Sequence, residues 1–433
     1  MRNVREVALC AAGMIAASSV SAFGAGYCLF QGSARGNVDS AELIASGGEP
    51  ASMYFNGATI TELPGTQVQL GFTAIAPFAS VETVSPYNGN RVKTDGKDKI
   101  WPIPSAYVTH QLNDDLYLGF GIFSRFGLGA ELSNTWPGRY SSYKAMIEAV
   151  DFMPTIAWKI NDMLSVSAGV TIRYFDIELA QKVDLAGATG LRNPNDPAYS
   201  PYDVDQNLHG DDINAGINLG SQFKPVDYLE VGAAYQSRIR FVCKGDADWT
   251  KPAPVNALAP YAFNDMKWSA KNYNPDEVML AGSWKINDRL TFSAGALLTY
   301  WSIYDDLVID MKSDYLPGRN QMKSEKNWHD AWRAMLGLAY KTSDSLTLRC
   351  GYTFDNSPLN GACIDYLVPG DDRQIFAVGA TWEKSEKWVF DFSYFYEVVS
   401  DKDINARVAN GVLDGTFCDA DAHAVSFSVT RRF

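Results

Sequence analysis

The sequence has few of the residues that usually carry catalysis or bind metals. It contains 4 histidines and 6 cysteines among 433 residues. No Gly-x-Ser-x-Gly elbow, Cys-x-x-Cys pair or metal-ligand spacing surrounds any of them. These absences argue against a serine hydrolase and against a metalloprotein. We therefore expect a protein that is not an enzyme and that needs no cofactor or metal.

Positive charge and long apolar runs are also scarce. Lysine and arginine number 37 against 50 acidic residues, which gives a net charge of -13. This balance argues against a nucleic-acid partner, because such proteins need a basic surface. No stretch of about 18 apolar residues follows the N-terminal region, so no transmembrane helix is expected. Apolar residues still make up 46% of the chain, which is enough for a large closed sheet.

The N-terminus has the features of an export signal. Arg2 and Arg5 precede the short apolar run "VALCAAGMIAASSV", and Val20 to Ala22 place small residues at a cleavage site. We predict a signal peptide over residues 1–22. Its removal takes one cysteine, so the five that remain leave at least one thiol unpaired.

One phrase occurs twice along the chain. "WKINDMLSVSAGV" begins at Trp158 and "WKINDRLTFSAGA" begins at Trp284. In each, an alternating strand is followed by a polar turn and a second alternating strand, and asparagine, aspartate and serine suit such tight turns. Looser versions begin at His110, Phe223, Tyr340 and Trp382.

Long polar segments separate these hairpins, so six short turns alternate with seven long loops. This pattern predicts an all-β fold, a 14-stranded antiparallel transmembrane β-barrel over residues 67–433, with short turns on one rim. A soluble β-sandwich or propeller is the alternative, since its strands also alternate. The predicted strands are 67–78, 103–111, 115–126, 146–159, 164–183, 211–223, 228–242, 276–285, 289–308, 331–341, 345–354, 373–383, 387–398 and 422–433.

Arginines fall on the polar face of several predicted strands. A charge that faces lipid at mid-membrane costs about 2–4 kcal/mol, so we expect these side chains to point into a lumen. The last strand, "HAVSFSVTRRF", ends on Phe433 and would pair with the first to close the sheet. The arginines concerned are Arg173, Arg238, Arg240, Arg333, Arg349 and Arg373.

Two segments resemble a known family. "WHDAWRAMLGLAYKTSDSLTLRCGYTFDNSPL", Trp328 to Leu359, and "VPGDDRQIFAVGATW", which contains Asp372 and Arg373, are similar to motifs of the long-chain fatty acid transporters of Gram-negative outer membranes. That family also includes aromatic-hydrocarbon channels. The similarity extends over nearly the whole chain after the signal peptide.

The resemblance implies a barrel closed by an N-terminal plug, which would be residues 23–66. An Asn-Pro-Ala motif in the family's plug matters for gating, and Asn56, Gly57 and Ala58 match it here, with glycine in place of proline. The family also has an inward kink in its third strand. Gly127 and Gly129 are the expected kink residues, while a strand that simply ends at its loop is the alternative.

A fatty acid needs an apolar trough and a donor for its carboxylate. Arg173 is the first candidate donor, followed by Arg238 and Arg240, and pairing with lumenal acids is the alternative for each. Aromatic candidates could equally be packing or girdle residues. The apolar candidates are Phe123, Phe126, Leu128, Trp136, Leu297 and Trp301.

We therefore expect an outer-membrane protein that passively transports long-chain fatty acids or similar hydrophobic molecules. Its outer loops would capture the ligand, and release would follow a plug change or use a lateral gap near strand 3. Uptake of aromatic hydrocarbons, a general aqueous porin, and a surface adhesin or receptor are the competing hypotheses. Expected partners are the ligand, outer-membrane lipid with lipopolysaccharide, and the barrel assembly machinery.

Overall fold

The computed structural model describes residues 26–85, 87–189, 197–407 and 410–433, so the predicted signal peptide lies outside the described residues. No helix in the described part of the chain is both long and apolar enough to cross a membrane. The strands are β1 Thr66–Val84, β2 Arg91–Asp95, β3 Trp101–Gln111, β4 Leu116–Phe123, β5 Gly127–Glu131, β6 Lys144–Lys159, β7 Leu164–Asp184, β8 Asp203–Val226, β9 Leu229–Gln236, β10 Ile239–Thr250, β11 Met266–Asn274, β12 Glu277–Lys285, β13 Leu290–Thr299, β14 Asp306–Met311, β15 Gln321–Glu325, β16 Ala331–Ser343, β17 Leu346–Asp355, β18 Arg373–Ser385, β19 Trp388–Val399, β20 Lys402–Ile404 and β21 Gly415–Arg432. The helices are α1 Ser40–Ala45, α2 Ser52–Phe55, α3 Leu185–Ala188 and α4 Ala253–Leu258, with 3-10 turns at Gly57–Glu62, Pro197–Tyr202 and Trp301–Ile303.

An antiparallel ladder runs around the whole molecule and closes on itself. The last strand, β21, pairs with β1 from Arg432 opposite Gln67 to Gly415 opposite Thr83. The closed 14-stranded antiparallel barrel predicted from the hairpin repeats is confirmed, and the C-terminal strand is its closing member. In ladder order the barrel consists of β1, β3, β4, β6, β7, β8, β9, β12, β13, β16, β17, β18, β19 and β21.

Burial alternates along these strands. In β21, Val425 is 59% exposed, whereas its neighbours Ser426 and Ser428 are 6% and 0% exposed. The exposed rows form an apolar outer belt, as a barrel in lipid requires, whereas the buried rows combine polar residues with apolar ones. Tryptophan and tyrosine side chains stand on the outer surface next to the short turns, where aromatic residues meet the membrane interface. They are Trp158, Trp284, Tyr340 and Trp382.

Several strands of the wall are interrupted, which the alternation pattern did not predict. The expected strand 228–242 breaks between β9 and β10 at Ser237 and Arg238. The expected strand 289–308 ends at Thr299, because a 3-10 turn carries Trp301 into the interior, where it is fully buried. Beyond these breaks β10, β11, β14 and β15 extend the wall on the long-loop side.

The segment before the first strand, residues 26–65, lies inside the barrel and is called the plug below. Every residue of α1 is buried, and α1 packs against β9, β12, β13 and β16. Asp39 caps the helix by accepting a hydrogen bond from the Glu42 backbone N–H at 2.9 Å. The arrangement agrees with the expected plug, while the exact limits 23–66 remain a prediction.

Glycines of the wall make room for the plug. A Cβ atom on Gly351 would lie 1.8 Å from the Val38 carbonyl oxygen, and one on Gly232 would lie 1.9 Å from the Ile44 carbonyl oxygen. No side chain fits at such distances, so the plug backbone just before α1 and near the end of α1 contacts bare wall backbone. These glycines set how deeply the plug can sit.

We predict that Gly351→Val displaces the plug but leaves the barrel folded. The valine would occupy the position of the Val38 carbonyl, so α1 must move away from the wall. Limited proteolysis should cut the plug of this variant faster, while the folded barrel keeps its mobility on an unheated gel. Gly282→Val is the matched control, because the nearest atom to its Cβ is 3.9 Å away. Equal proteolysis of both variants would contradict the prediction.

Candidate functional site

A gap opens in the wall between β3 and the third barrel strand. The ladder between β3 and β4 stops at Ala106 opposite Ile122, and β5 pairs only with β6. Within the described residues 101–131, Trp101 to Ser105 therefore face no strand on this side. Ser124, Arg125 and Phe126, which interrupt the third strand, are all buried here.

The plug and one tryptophan fill this gap. The Leu29 N–H donates to the Arg125 carbonyl at 2.7 Å, and the Gly127 N–H donates to the Tyr27 carbonyl at 2.9 Å. Just above, the Trp101 ring lies over Gly129, where a Cβ would be 2.9 Å from the ring. The opening is thus closed by groups that can move without breaking the barrel ladder.

The two expected kink glycines lie beside the interruption and not in it. The strand breaks at residues 124–126, and Gly127 and Gly129 both belong to regular β5. Both glycines leave space for a neighbouring side chain: a Cβ on Gly127 would lie 3.0 Å from Leu29 Cδ1, and one on Gly129 would meet the Trp101 ring. Leu128 between them pairs with Ile147, and its side chain lies outside the described part of the structure.

Two of the predicted aromatic residues meet at the centre of the barrel. Phe126 and Trp301 are 2% and 0% exposed, and their ring centroids are 6.2 Å apart. Tyr27 of the plug stands 4.8 Å from Trp301, which also contacts Trp328 at 4.8 Å. The result is an apolar aromatic cluster directly behind the gap.

The other apolar candidates are buried in different places. Phe123 packs against Tyr54 of the plug and stacks on Tyr107, with centroids 4.8 and 5.7 Å away. Trp136 lies 5.0 Å from Tyr366. Leu297 is 2% exposed on the inner face of β13, as expected. The structure therefore does not bring all six apolar candidates into one site.

Arg173 is buried beside the aromatic cluster and is already paired. Its guanidinium donates to both carboxylate oxygens of Asp151, at 2.5 and 2.6 Å, and to Asn274 Oδ1 at 2.8 Å. It also lies 4.4 Å from the centroid of Phe126. The lumenal ion pair, which was the alternative for this arginine, is what the structure contains.

Arg238 and Arg240 do not point into the lumen, and that expectation is wrong. The break at Ser237 and Arg238 inserts one extra step, so the buried row moves from Gln236 to Ile239. Arg240 consequently stands exposed on the opposite face, and the Arg238 side chain is 58% exposed and bound to Asp276 at 2.7 Å. Simple alternation could not reveal this change of phase.

Sequence reasoning missed a second buried ion pair that crosses the barrel. Arg125 Nη1 lies 3.1 Å from Glu277 Oε2, and both side chains are 1% exposed. The guanidinium also covers the Tyr54 ring at 4.0 Å and donates to the Tyr54 carbonyl, so it holds the end of α2. One feature of the sequence could have indicated this pair: Arg125 stands between Phe123 and Phe126 in an otherwise largely apolar segment.

The predicted gating residues join the plug to the wall. Asn56 Nδ2 donates to the Ile44 carbonyl at 2.8 Å and to the Ser221 carbonyl of β8 at 2.9 Å. Ala58, fully buried beside it, donates its backbone N–H to Asn56 Oδ1 at 3.1 Å. A Cβ on Gly57 would meet Thr155 at 2.8 Å, so this glycine serves close packing and its backbone is not left-handed.

A cavity of about 550 Å³ opens among the long loops and the outer ends of the strands. Its wall is mixed, with both apolar and polar side chains. We call it the outer vestibule. Leu179, Leu208, Leu307, Ile309, Met322 and Val412 are among its apolar residues, and Lys182, Arg319 and Lys323 are its basic ones.

Comparison with known proteins shows the family to which this barrel belongs. Residues 13–433 match the family model described as outer membrane protein transport protein (OMPP1/FadL/TodX). The chain belongs to this family. The OMPP1/FadL/TodX proteins are outer-membrane transport proteins, so the outer membrane is also the location of this barrel.

Individual members of the OMPP1/FadL/TodX family agree with the assignment. The chain is 24% identical to the long-chain fatty acid transport protein of Salmonella typhi, over 85% of this chain and 86% of that protein. Among solved structures, a Pseudomonas aeruginosa FadL homologue superposes with a TM-score of 0.83 at 21% identity, covering 94% of this chain and 99% of the other. The toluene transporter TodX of P. putida gives 0.67 at 16% identity, covering 89% and 94%.

We predict that removal of one partner of the buried ion pair destabilises the barrel more than removal of both. Glu277→Leu leaves the Arg125 charge buried without its partner, which typically costs about 3–5 kcal/mol. Adding Arg125→Met should recover much of that loss, because no charge is then stranded. Denaturant unfolding from lipid vesicles, followed by tryptophan fluorescence, measures both. A double variant no more stable than the single one would contradict this account.

A buried carboxyl in the plug makes docking sensitive to pH. Glu49 accepts hydrogen bonds from Ser33 and, at 2.8 Å, from Gln69 Nε2. Burial, and then the nearby Asp391 carboxylate, raise the pKa of Glu49 to about 7, while Arg35 acts in the opposite direction. The docked plug therefore favours protonated Glu49, and this contribution to stability is lost as pH rises from the usual glutamate range through about 7.

We predict that proteolysis of the plug becomes faster between about pH 5 and about pH 8, because Glu49 must then ionise in place. Glu49→Gln should flatten the pH dependence, since the amide stays neutral and keeps the size of the side chain. The measurement is the rate of plug cleavage at each pH in both proteins, at matched protease activity. Cleavage at a short turn of the barrel is the internal reference. A flat profile in the unaltered protein would refute the role of Glu49.

Proposed function

We propose that this protein carries long-chain fatty acids or similar hydrophobic molecules passively across the outer membrane. The observation that carries the proposal is the gap between β3 and β5, which Tyr27–Leu29 and Trp101 fill and which Lys97 bridges at its outer end through its backbone bond to Glu131. An aqueous pore does not need an opening toward lipid, whereas a ligand that prefers lipid does. The aromatic cluster directly behind the gap gives such a ligand an apolar surface to cross.

The outer vestibule would capture the ligand. Its volume of about 550 Å³ and its apolar side chains suit a flexible chain, within the usual size of ligand pockets. Lys182, Arg319 and Lys323 line it and would attract a carboxylate, with Lys182 also bonded to Asp205 at 2.6 Å and Lys323 to Asp306 at 3.0 Å. Basic groups there favour a fatty acid over a neutral aromatic hydrocarbon, which gains nothing from charge.

The plug would prevent straight passage and direct the ligand sideways. Asn56 holds the plug to itself and to β8, so loss of its hydrogen bonds would loosen both. We assign Asn56, Gly57 and Ala58 to this gating step on those contacts. Arg173 and Arg125 would steady the lumen through their ion pairs, and Arg173 would not bind the carboxylate in the closed state.

The same proposal includes the membrane partners. The exposed apolar belt would lie against outer-membrane lipid, and the long-loop rim would lie against lipopolysaccharide. The C-terminal strand, which ends on the 68% exposed Phe433, would be presented to the barrel assembly machinery.

Uptake into liposomes tests the function. Oleate, toluene and a small sugar are supplied outside vesicles that contain the purified protein, and entry is followed for each. We expect oleate uptake well above that of protein-free vesicles and no sugar permeation. Sugar entry without oleate uptake would establish a porin instead, and toluene uptake without oleate uptake would favour the hydrocarbon channel.

We predict that Trp101→Ala speeds oleate uptake, because the Trp101 ring is the wall-side closure of the gap and alanine leaves the space over Gly129 empty. The initial uptake rate in liposomes is the measurement. Trp284→Ala is the control, since that tryptophan is 51% exposed on an intact ladder and should leave the rate unchanged. Equal rates for both variants would show that Trp101 does not close the path.

A further inference from the structure

A second interruption of the wall lies between β8 and β10. The β8–β9 ladder ends at Asn218 opposite Gln236, and the β8–β10 ladder begins only at Asp211 opposite Lys244. Within the described residues 203–250, residues 212–216 of β8 and 239–243 of β10 face each other without backbone pairing. We call this stretch the β8–β10 seam.

Side chains take the place of the missing ladder. The N–H groups of Ile213 and Ala215 are satisfied by the preceding side chains, Asp212 Oδ1 and Asn214 Oδ1, each at 2.9 Å. Across the seam, Asp212 Oδ2 accepts from the Val242 N–H at 2.7 Å. Asn214 Nδ2 donates to the Arg240 carbonyl, also at 2.7 Å.

These side-chain hydrogen bonds allow the seam to exist in a membrane. Unsatisfied backbone groups in lipid cost several kcal/mol each, so an unfilled break would not be tolerated there. Side-chain bonds meet that requirement, yet rotation about χ angles can release them without moving either strand. A backbone ladder offers no such freedom.

The seam is open to the outside. Asn214 lies opposite Arg173 in the β7–β8 register, so its side chain starts on the inner face, yet it is exposed. Arg173, its neighbour on the lumenal face, is only 2% exposed, so the exposure of Asn214 is on the side of the seam. The outer residues next to it are apolar, and Ile217 is 51% exposed, so the mouth borders the lipid-facing belt.

A recess leads from this mouth to the centre of the barrel. Its lining joins Ile217, Ser237 and Ile239 beside the seam to the buried Phe126, Arg173 and Glu277. Its free space is about 10 Å³, about enough for one water molecule, so the path is closed in this conformation. The Ile239 side chain closes it by packing against Gly216, where a Cβ would lie 2.8 Å from Ile239 Cγ1.

The mouth carries one exposed cation, Arg240, beside the Arg238–Asp276 pair and the Asp212 carboxylate of the seam. Arg240 is exposed beside the seam, and its carbonyl is the one held by Asn214. Arg238 is two residues away and bonds Asp276 at the surface. An anionic headgroup could therefore stay at the membrane boundary while its apolar chain enters between the strands.

We propose that the β8–β10 seam is a second lateral opening for amphiphiles that carry a negative headgroup. It opens when Asp212 and Asn214 break their hydrogen bonds to β10. It rests on the proposed transport function and adds a route distinct from the β3–β5 gap. Both openings reach the aromatic cluster around Phe126, one on each side of it. Ligand in the outer leaflet would thereby gain direct access to the lumen.

A reversible cross-link tests the seam. Gly216→Cys and Ile239→Cys are introduced together after the five cysteines of the mature chain are replaced by serine. A Cβ on Gly216 would lie 2.8 Å from Ile239 Cγ1, so the two positions are close enough to test for a disulfide, in which Cβ atoms stand about 3.5–4.5 Å apart. Ala233→Cys with Leu280→Cys is the control, because these residues pair in the neighbouring intact ladder.

Initial oleate uptake is measured in liposomes before oxidation, after oxidation and after reduction. We expect oxidation to slow uptake through the seam variant, reduction to restore it, and the control pair to show no change. Unchanged uptake with a complete cross-link overturns the second opening while the transport function stands. Failure of the cysteines to cross-link in the folded barrel refutes the packing at the seam. Absence of oleate uptake in the reduced protein defeats the transport function, and the seam proposal with it.

Discussion

Backbone hydrogen bonding in lipid is the constraint on which the structure depends. Every N–H and C=O at membrane depth needs a partner, so the strands must close into a ring with no free edge. β21 meets this demand by pairing with β1 along nearly its whole length. The same demand explains the interruptions, because each break in the ladder is bridged by plug backbone or by side chains.

Closure of the ring creates an interior that must then be filled. The plug fills it by packing its backbone directly against wall glycines such as Gly351 and Gly232. The position of the plug therefore depends on the absence of side chains at these residues. Buried charge fixes the remaining geometry. Arg125 pairs with Glu277 and Arg173 pairs with Asp151 in a space where an isolated charge would be costly, and Arg125 also holds α2.

Transport requires that such a filled barrel open without losing its ladder. The β3–β5 gap and the β8–β10 seam place the movable parts outside the continuous ladder: a short plug segment and Trp101 in one, Asp212 and Asn214 in the other. Both lie next to Phe126 and the aromatic cluster. A ligand that moves from the vestibule to lipid would thus cross apolar rings, while the charged pairs remain intact beside it.

The sequence by itself determined the class of fold, the strand count and the faces of regular strands, because alternation and turn chemistry are local properties. It correctly placed Leu297 inside and Val425 outside. It could not place Arg238 and Arg240, because the break at Ser237 and Arg238 reverses which alternate residues are buried. It also could not predict that Arg173 pairs with Asp151 on the neighbouring strand. Only the tertiary structure decided where the wall is incomplete. Whether two strands pair depends on groups distant in the chain, such as Tyr27 meeting Gly127 and Asp212 meeting Val242, and no local pattern records those contacts.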